Sequence, residues 1–147
     1  MATAIGGRTF VFEQTQVTRH IALAETAGGF TVPDASGISD RHFEGIQAPG
    51  LIEGPLPVIF FRTRHSESPR FSVRLNSTPL TQYTFANDDT RSWHEIIPAG
   101  ALKAQDNELT FAVSGTGSVV FGDVVIIYTS GEITVKVPIV LSNQSFA

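Results

Sequence analysis

The stretch from Phe71 to Tyr128 constrains the fold most. It reads FSVRLNSTPLTQYTF, then a polar break, then WHEIIPAGALKAQDNELTFAV and GSVVFGDVVIIY. About five strand-length runs are packed into it, each closed by Gly, Asn, Pro or Ser. Phe71, Val73 and Leu75 alternate with Ser72, Arg74 and Asn76, and Leu109, Phe111 and Val113 repeat the pattern. A period of two puts the first set of each run on a buried face and the second toward water. No helical period runs through the stretch, so the chain is expected to be all-β.

The flanking segments extend the same reading. RTFVF at 8–12 and QVTRHIAL at 16–23 are rich in β-branched and aromatic residues and read as strands. PVIFFRTR at 57–64 and the run at 118–129 are apolar on both faces, as central strands are. Gly122 inside the latter predicts a bulge. Thr129-Ser130-Gly131 reads as a turn, followed by an alternating strand at 132–141 in which Pro138 points to a sheet edge. Between 24 and 56 Gly and Pro are dense enough to exclude a helix. That segment reads as a long loop, either functional or draped over a sheet edge and pinned by Phe30, Val32, Ile38, Phe43 and Ile46. Strands every eight to twelve residues in a chain of 147 residues predict one domain, 1–147. The expected architecture is an antiparallel β-sandwich or barrel with about eight or nine strands.

Composition removes several function classes. A net charge of −4 argues against nucleic acid, whose binding needs a basic face, and against anionic lipid. No run reaches the length of a membrane span. The absence of cysteine excludes disulfides and thiolate metal sites. With no basic and apolar leader in MATAIGGRTFVFEQ, a soluble protein of a reducing compartment, the cytoplasm, is expected.

The segments LNSTPLTQYTF, WHEIIPAGALKAQDNELTFAV and VVFGDVVIIY resemble the galactose-binding-like jelly rolls. The matching features are a strand ending Leu75-Asn76, the Ile97-Pro98-Ala99-Gly100-Ala101-Leu102-Lys103 segment, Asn107-Glu108-Leu109 opening a strand, and a long strand after it. The resemblance covers about residues 57–140. Members of that family are attached to many glycosidases and lectins or serve as carbohydrate-binding modules, so the resemblance implies an antiparallel β-sandwich of jelly-roll type and sugar binding without catalysis. Members often hold a structural calcium between the N-terminal region and a late strand. Glu13 and Asp123 are the positions that the resemblance would assign to it.

Strand parity then locates a candidate site. In a sandwich successive loops alternate ends, so the loops at 65–69, 87–91 and 114–117 share one end. The turns at 77–79, 98–107 and 130–131 share the other. The first end collects Arg64, His65, Glu67, Asn87, Asp88, Asp89 and Arg91, with Trp93 just beyond. Amides, carboxylates and guanidinium groups suit vicinal hydroxyls, and an indole suits the C–H side of a sugar ring. The alternative is that these loops are solvated and Trp93 is core. Asp88-Asp89 offers two carboxylates to a hard cation, fewer than calcium takes, and reads more readily as an Asx-rich turn.

Catalysis is not expected. His20, His42, His65 and His94 show no metal-ligand spacing, and His94 and Glu95 point to opposite faces of their strand. There is no G-x-S-x-G elbow, and Gly115-Thr116-Gly117 does not open a helix that could cradle phosphate. The leading expectation is a lectin-like, non-catalytic protein whose partner is a carbohydrate. It would gain avidity as a homo-oligomer and need no cofactor beyond a structural calcium. The alternative is a structural module that self-associates through edge strands and the 24–56 segment.

Overall fold

The computed structural model describes residues 2–5, 8–86 and 90–135. Ten strands follow in order: β1 (Ala2–Ile5), β2 (Arg8–Ala22), β3 (Phe30–Val32), β4 (Asp40–Ile46), β5 (Val58–Ser66), β6 (Pro69–Leu75), β7 (Thr78–Thr84), β8 (Thr90–Ile96), β9 (Asn107–Gly115) and β10 (Ser118–Val135). A single 3-10 turn, Ala24–Thr26, separates β2 from β3. No helix among the described residues is long and apolar enough to cross a membrane.

The strands form two antiparallel sheets, in the orders β2-β10-β5-β8 and β4-β9-β6-β7. These eight strands have the double Greek-key arrangement of a jelly roll. β1 extends the first sheet beside β2, and β3 pairs with β10 where β2 has left it. The all-β sandwich expected from alternation is therefore present.

Alternation explains the core. On β6 Phe71, Val73 and Leu75 are fully buried, and on β9 Leu109, Phe111 and Val113 face them from the next strand. From the opposite sheet Ile59 and Phe61 on β5 and Val119, Phe121 and Ile126 on β10 close the interior. Phe61, Phe71, Phe111 and Phe121 meet at its centre, with Phe111 and Phe121 centroids 4.8 Å apart. Burying one such ring contributes about 1.5–3 kcal/mol, so this quartet is a principal source of sheet-to-sheet cohesion.

Four expectations change. The runs at 8–12 and 16–23 belong to one strand, β2. The 24–56 segment is not all loop: Phe43 and Ile46 anchor β4 as an edge strand on β9, and Val32 is buried on β3. Ile38, expected to help pin this segment, is 53% exposed in the turn between β3 and β4. The predicted turn at 129–131 is instead continuous strand. Residues 49–52 hold it extended: Gly131 N–H donates to Gly50 O (2.9 Å), Ile52 N–H to Thr129 O (3.2 Å), and Leu51 bridges to Ser130. Of the expected 132–141 strand, residues 132–135 finish β10 and pair with β2, and 136–141, with Pro138, are outside the described residues. The bulge predicted at Gly122 is present. The register slips between Gly122 and Val125, and Asp123 takes a left-handed φ of 51°.

Candidate functional site

Register places the three loops at one end. Ser66 lies opposite Ser118, Pro69 opposite Gly115 and Arg64 opposite Thr90. Phe85 N–H donates to Pro69 O at 3.0 Å, which draws the β7–β8 connection into the same group. Of the expected site residues, Asn87, Asp88 and Asp89 lie outside the described residues.

The remaining five separate onto two faces, because neighbours on a strand point in opposite directions. His65, Arg91 and Trp93 face the gap between the sheets. Arg64 faces outward with Thr90. The His65 ring stacks on buried Phe85, with centroids 3.9 Å apart. Its Nδ1 lies 3.0 Å from Glu67 O, and since a carbonyl only accepts, this contact puts the proton on Nδ1. Glu67 itself is exposed at a left-handed φ of 59°.

Trp93 is less open than a sugar platform would be. Its ring lies parallel to Phe61 (centroids 6.1 Å, 13°), and Nε1–H donates to buried Thr63 Oγ1 at 2.8 Å. Tyr83 packs edge-on at 5.1 Å, and the Arg91 guanidinium sits 4.3 Å from the indole centre and 4.8 Å from the Tyr83 ring. Cation–π attraction holds that guanidinium over the two rings. The result is a half-buried Arg91–Tyr83–Trp93 group on the open side between β7 and β8. Thr81 Oγ1–H donates to Glu95 Oε1 (3.1 Å) across the same side.

On the outer face of the six-stranded sheet, beside this end, lies a cavity of about 170 Å³. Arg62, Arg64, Thr90 and the Gly28–Gly29 turn line it. Arg62 pairs with Asp123 at 2.6 Å. Sequence reasoning named Arg64 and the 87–91 loop that holds Thr90, but missed Arg62 and the two glycines. The Arg-Thr-Arg spacing at 62–64 was the available signal, since it puts two guanidinium groups on one face.

A shallower groove of about 260 Å³ crosses the outer face of the four-stranded sheet between Asp40 and Arg70. Next to it His42 bridges two carboxylates: Nε2 lies 3.1 Å from Asp40 Oδ2, and Nδ1 lies 3.3 Å from Glu108 Oε2 and 3.1 Å from Thr110 Oγ1. Both ring nitrogens are thus engaged. Among the described residues no group of three or more His, Asp and Glu is placed to hold a metal. Glu13 and Asp123, the pair considered for calcium, do not meet. Glu13 is opposite Thr134 while Asp123 lies eleven residues earlier on β10, roughly 36 Å away at a strand's rise of about 3.3 Å per residue. A larger cavity of about 570 Å³ opens at the other end, but Leu51, Ile52, Leu56, Pro57, Pro98 and Leu102 give it a mainly apolar lining.

The fold and the site define a class, a jelly-roll β-sandwich with a polar loop end. No protein-family model matches the chain, and no curated protein sequence matches it. Among solved structures it is similar to dimeric latent PorU from Porphyromonas gingivalis, with a TM-score of 0.53 and 11% identity. The match covers 84% of this chain and 13% of that one, so the chain spans about an eighth of that protein's length. At this identity the likeness concerns the fold alone.

Proposed function

We propose that this chain is a non-catalytic carbohydrate-binding protein, lectin-like and of the galactose-binding-like jelly-roll type, that takes its ligand at the loop end. The observation that carries the reading is the Arg91–Tyr83–Trp93 group at the edge of that end. It offers a planar donor fork backed by aromatic rings, beside the polar loops. Guanidinium groups recognise paired hydroxyls, and the face of an aromatic ring accepts the C–H side of a sugar. Such a site is shallow, so affinity per site is modest and a homo-oligomer would supply avidity. The Thr110–His42–Asp40 chain does not change the reading toward catalysis. His42 is taken up by Asp40 on one ring nitrogen and by Glu108 and Thr110 on the other, so the group is read as a surface hydrogen-bond cluster.

A glycan array followed by calorimetry tests this. Binding to some glycan at or below millimolar concentration is expected, and Arg91→Ala should abolish it. Absence of binding to every glycan at millimolar concentration would sink the reading. Binding untouched by Arg91→Ala would move the site away from β8.

One observation favours a second reading, a self-associating structural module. Ile96 (61% exposed) and Phe60 (40% exposed) stand on the outer face of the six-stranded sheet, with half-buried Val58, Val125 and Ile127 in the neighbouring cross-strand positions. Light scattering separates the readings: a defined oligomer lost in Ile96→Asp, without sugar affinity, favours assembly.

A further inference from the structure

We infer that the cavity beneath Gly28–Gly29 is an anion subsite, and that the sugar this protein takes is acidic, carrying a carboxylate or a sulfate ester. The inference rests on the sugar-binding reading above and names the ligand's chemistry within it. Arg62 and Arg64 are two residues apart on β5, so both guanidinium groups stand on the outer face and line the same cavity. Arg62 is held by Asp123 at 2.6 Å. Arg64 has no hydrogen-bond or ion-pair partner among the described residues. Among the described residues, one positive charge on the cavity lining is therefore without a counterion. A guanidinium presents a planar fork of donors that matches a planar or tetrahedral oxyanion.

The surroundings suit the same ligand. Thr90 lies directly across the ladder from Arg64 and is part of the cavity lining. The opposite wall is backbone: Gly28 and Gly29 take positive φ (83° and 95°), and a Cβ at Gly29 would come within 2.9 Å of Val120 Cγ1. Glycine there lets the main chain close over the sheet without a side chain entering the pocket. The chain as a whole carries a net charge of −4, so its overall field does not attract anions. An anion drawn to this surface would owe its binding to the local arginine pair.

The experiment compares acidic glycans with their neutral counterparts on an array, then measures the best pair by calorimetry. Sodium sulfate and acetate serve as free-anion probes. The expected result is that an acidic glycan binds about tenfold or more tighter than its neutral counterpart, with affinity falling as salt rises. Arg64→Ala should reduce it to the neutral level, and Arg64→Lys should restore part of the preference. Thr90→Val, a near-isosteric change on an exposed strand residue, serves as a second variant and should weaken the acidic glycan alone. Equal binding of acidic and neutral glycans, or a preference that survives Arg64→Ala, overturns the inference and leaves the sugar reading standing. Sulfate or acetate binding that needs Arg64, with no glycan bound, supports the anion pocket and overturns the sugar reading. Binding of neither anions nor acidic glycans overturns the inference.

Discussion

Asn107 is the residue whose loss should be felt most among the polar groups. It is fully buried at the start of β9 and makes four hydrogen bonds. Its Nδ2 donates to Ile46 O (2.9 Å) and Lys103 O (2.7 Å). Its Oδ1 accepts from Lys103 N–H (2.8 Å) and Asn76 Nδ2 (3.0 Å). One amide thus ties together the end of β4, the 98–106 connection and the β6–β7 turn. Each such bond contributes about 0.5–1.5 kcal/mol net, so Asn107→Ala should cost about 4 kcal/mol. Lys103 is exposed and its backbone can partly rehydrate, whereas the carbonyl of buried Ile46 has less access to water, so the Ile46 bond should weigh most. In urea, with a slope of about 2 kcal/mol per M for a chain of this size, the midpoint should fall by roughly 2 M. The melting temperature should fall by roughly 8–16 °C at about 2–4 °C per kcal/mol. Trp93 fluorescence and far-UV circular dichroism can follow both transitions. Asn107→Asp should be at least as damaging, since it replaces the two donated bonds with a carboxylate oxygen facing two carbonyls. A double-mutant cycle with Asn76→Ala should show coupling of about 0.5–3 kcal/mol through the shared bond. The reasoning fails if Asn107→Ala costs less than about 1 kcal/mol, or if Asn107→Asp is close to wild type.

Two further outcomes are expected. Gly117 has a φ of +90°, and a Cβ there would run into Ser66 O and lie 2.8 Å from Glu67 Cβ; Gly45 has a φ of +69° with open space around it. Gly45→Ala should therefore cost only the left-handed backbone penalty of about 1–2 kcal/mol, and Gly117→Ala measurably more. Equal urea midpoints for the two variants would contradict the steric argument. Burial raises the Tyr128 phenol above its ordinary value of 10.0, partly offset by the Arg19 charge, and its hydroxyl donates to Pro49 O at 2.9 Å. The fold favours the protonated phenol, so this contribution to stability is whole below pH 10 and is lost as pH rises through the folded-state value. In a Tyr83→Phe variant, absorbance near 295 nm reports Tyr128 alone. Ionisation above 10 with a falling melting temperature over the same range is expected, and ionisation at or below 10 would refute the assignment.

Much of the candidate site was legible in the sequence, but only as a location. Loop parity needs nothing more than a count of strands, and it brought Arg64, His65, Glu67 and Arg91 to one end. What each side chain does there was not legible. Trp93 reads as a platform until Phe61, Thr63 and Arg91 are seen around it. Arg64 reads as one of a loop cluster until its outward face is seen to share a cavity with Gly28 and Gly29, thirty-five residues away in the chain. The Asn76 and Asn107 positions were noticed as parts of strand-end motifs. Their mutual bond spans thirty-one residues, and no local pattern encodes it.

The sequence by itself determined the strands of the core. Phe71, Val73 and Leu75, with Leu109, Phe111 and Val113, specify their inward faces because side-chain direction follows a period of two whatever the partners are. The sequence also determined the bulge at Gly122 and the shared end of the loops at 65–69 and 114–117. Tertiary structure alone decided which strands pair and where they stop. Thr129-Ser130-Gly131 has the composition of a turn, and residues 49–52 hold it straight by accepting and donating backbone bonds across the chain. Ladder partners come from remote parts of the sequence, so the backbone groups that favour strand over turn at such a position are absent from any local window. The stretch from Phe71 to Tyr128 therefore specified a run of alternating strands suited to a sandwich. The long-range pairings set around it decided which of its polar residues line a pocket and which close the core.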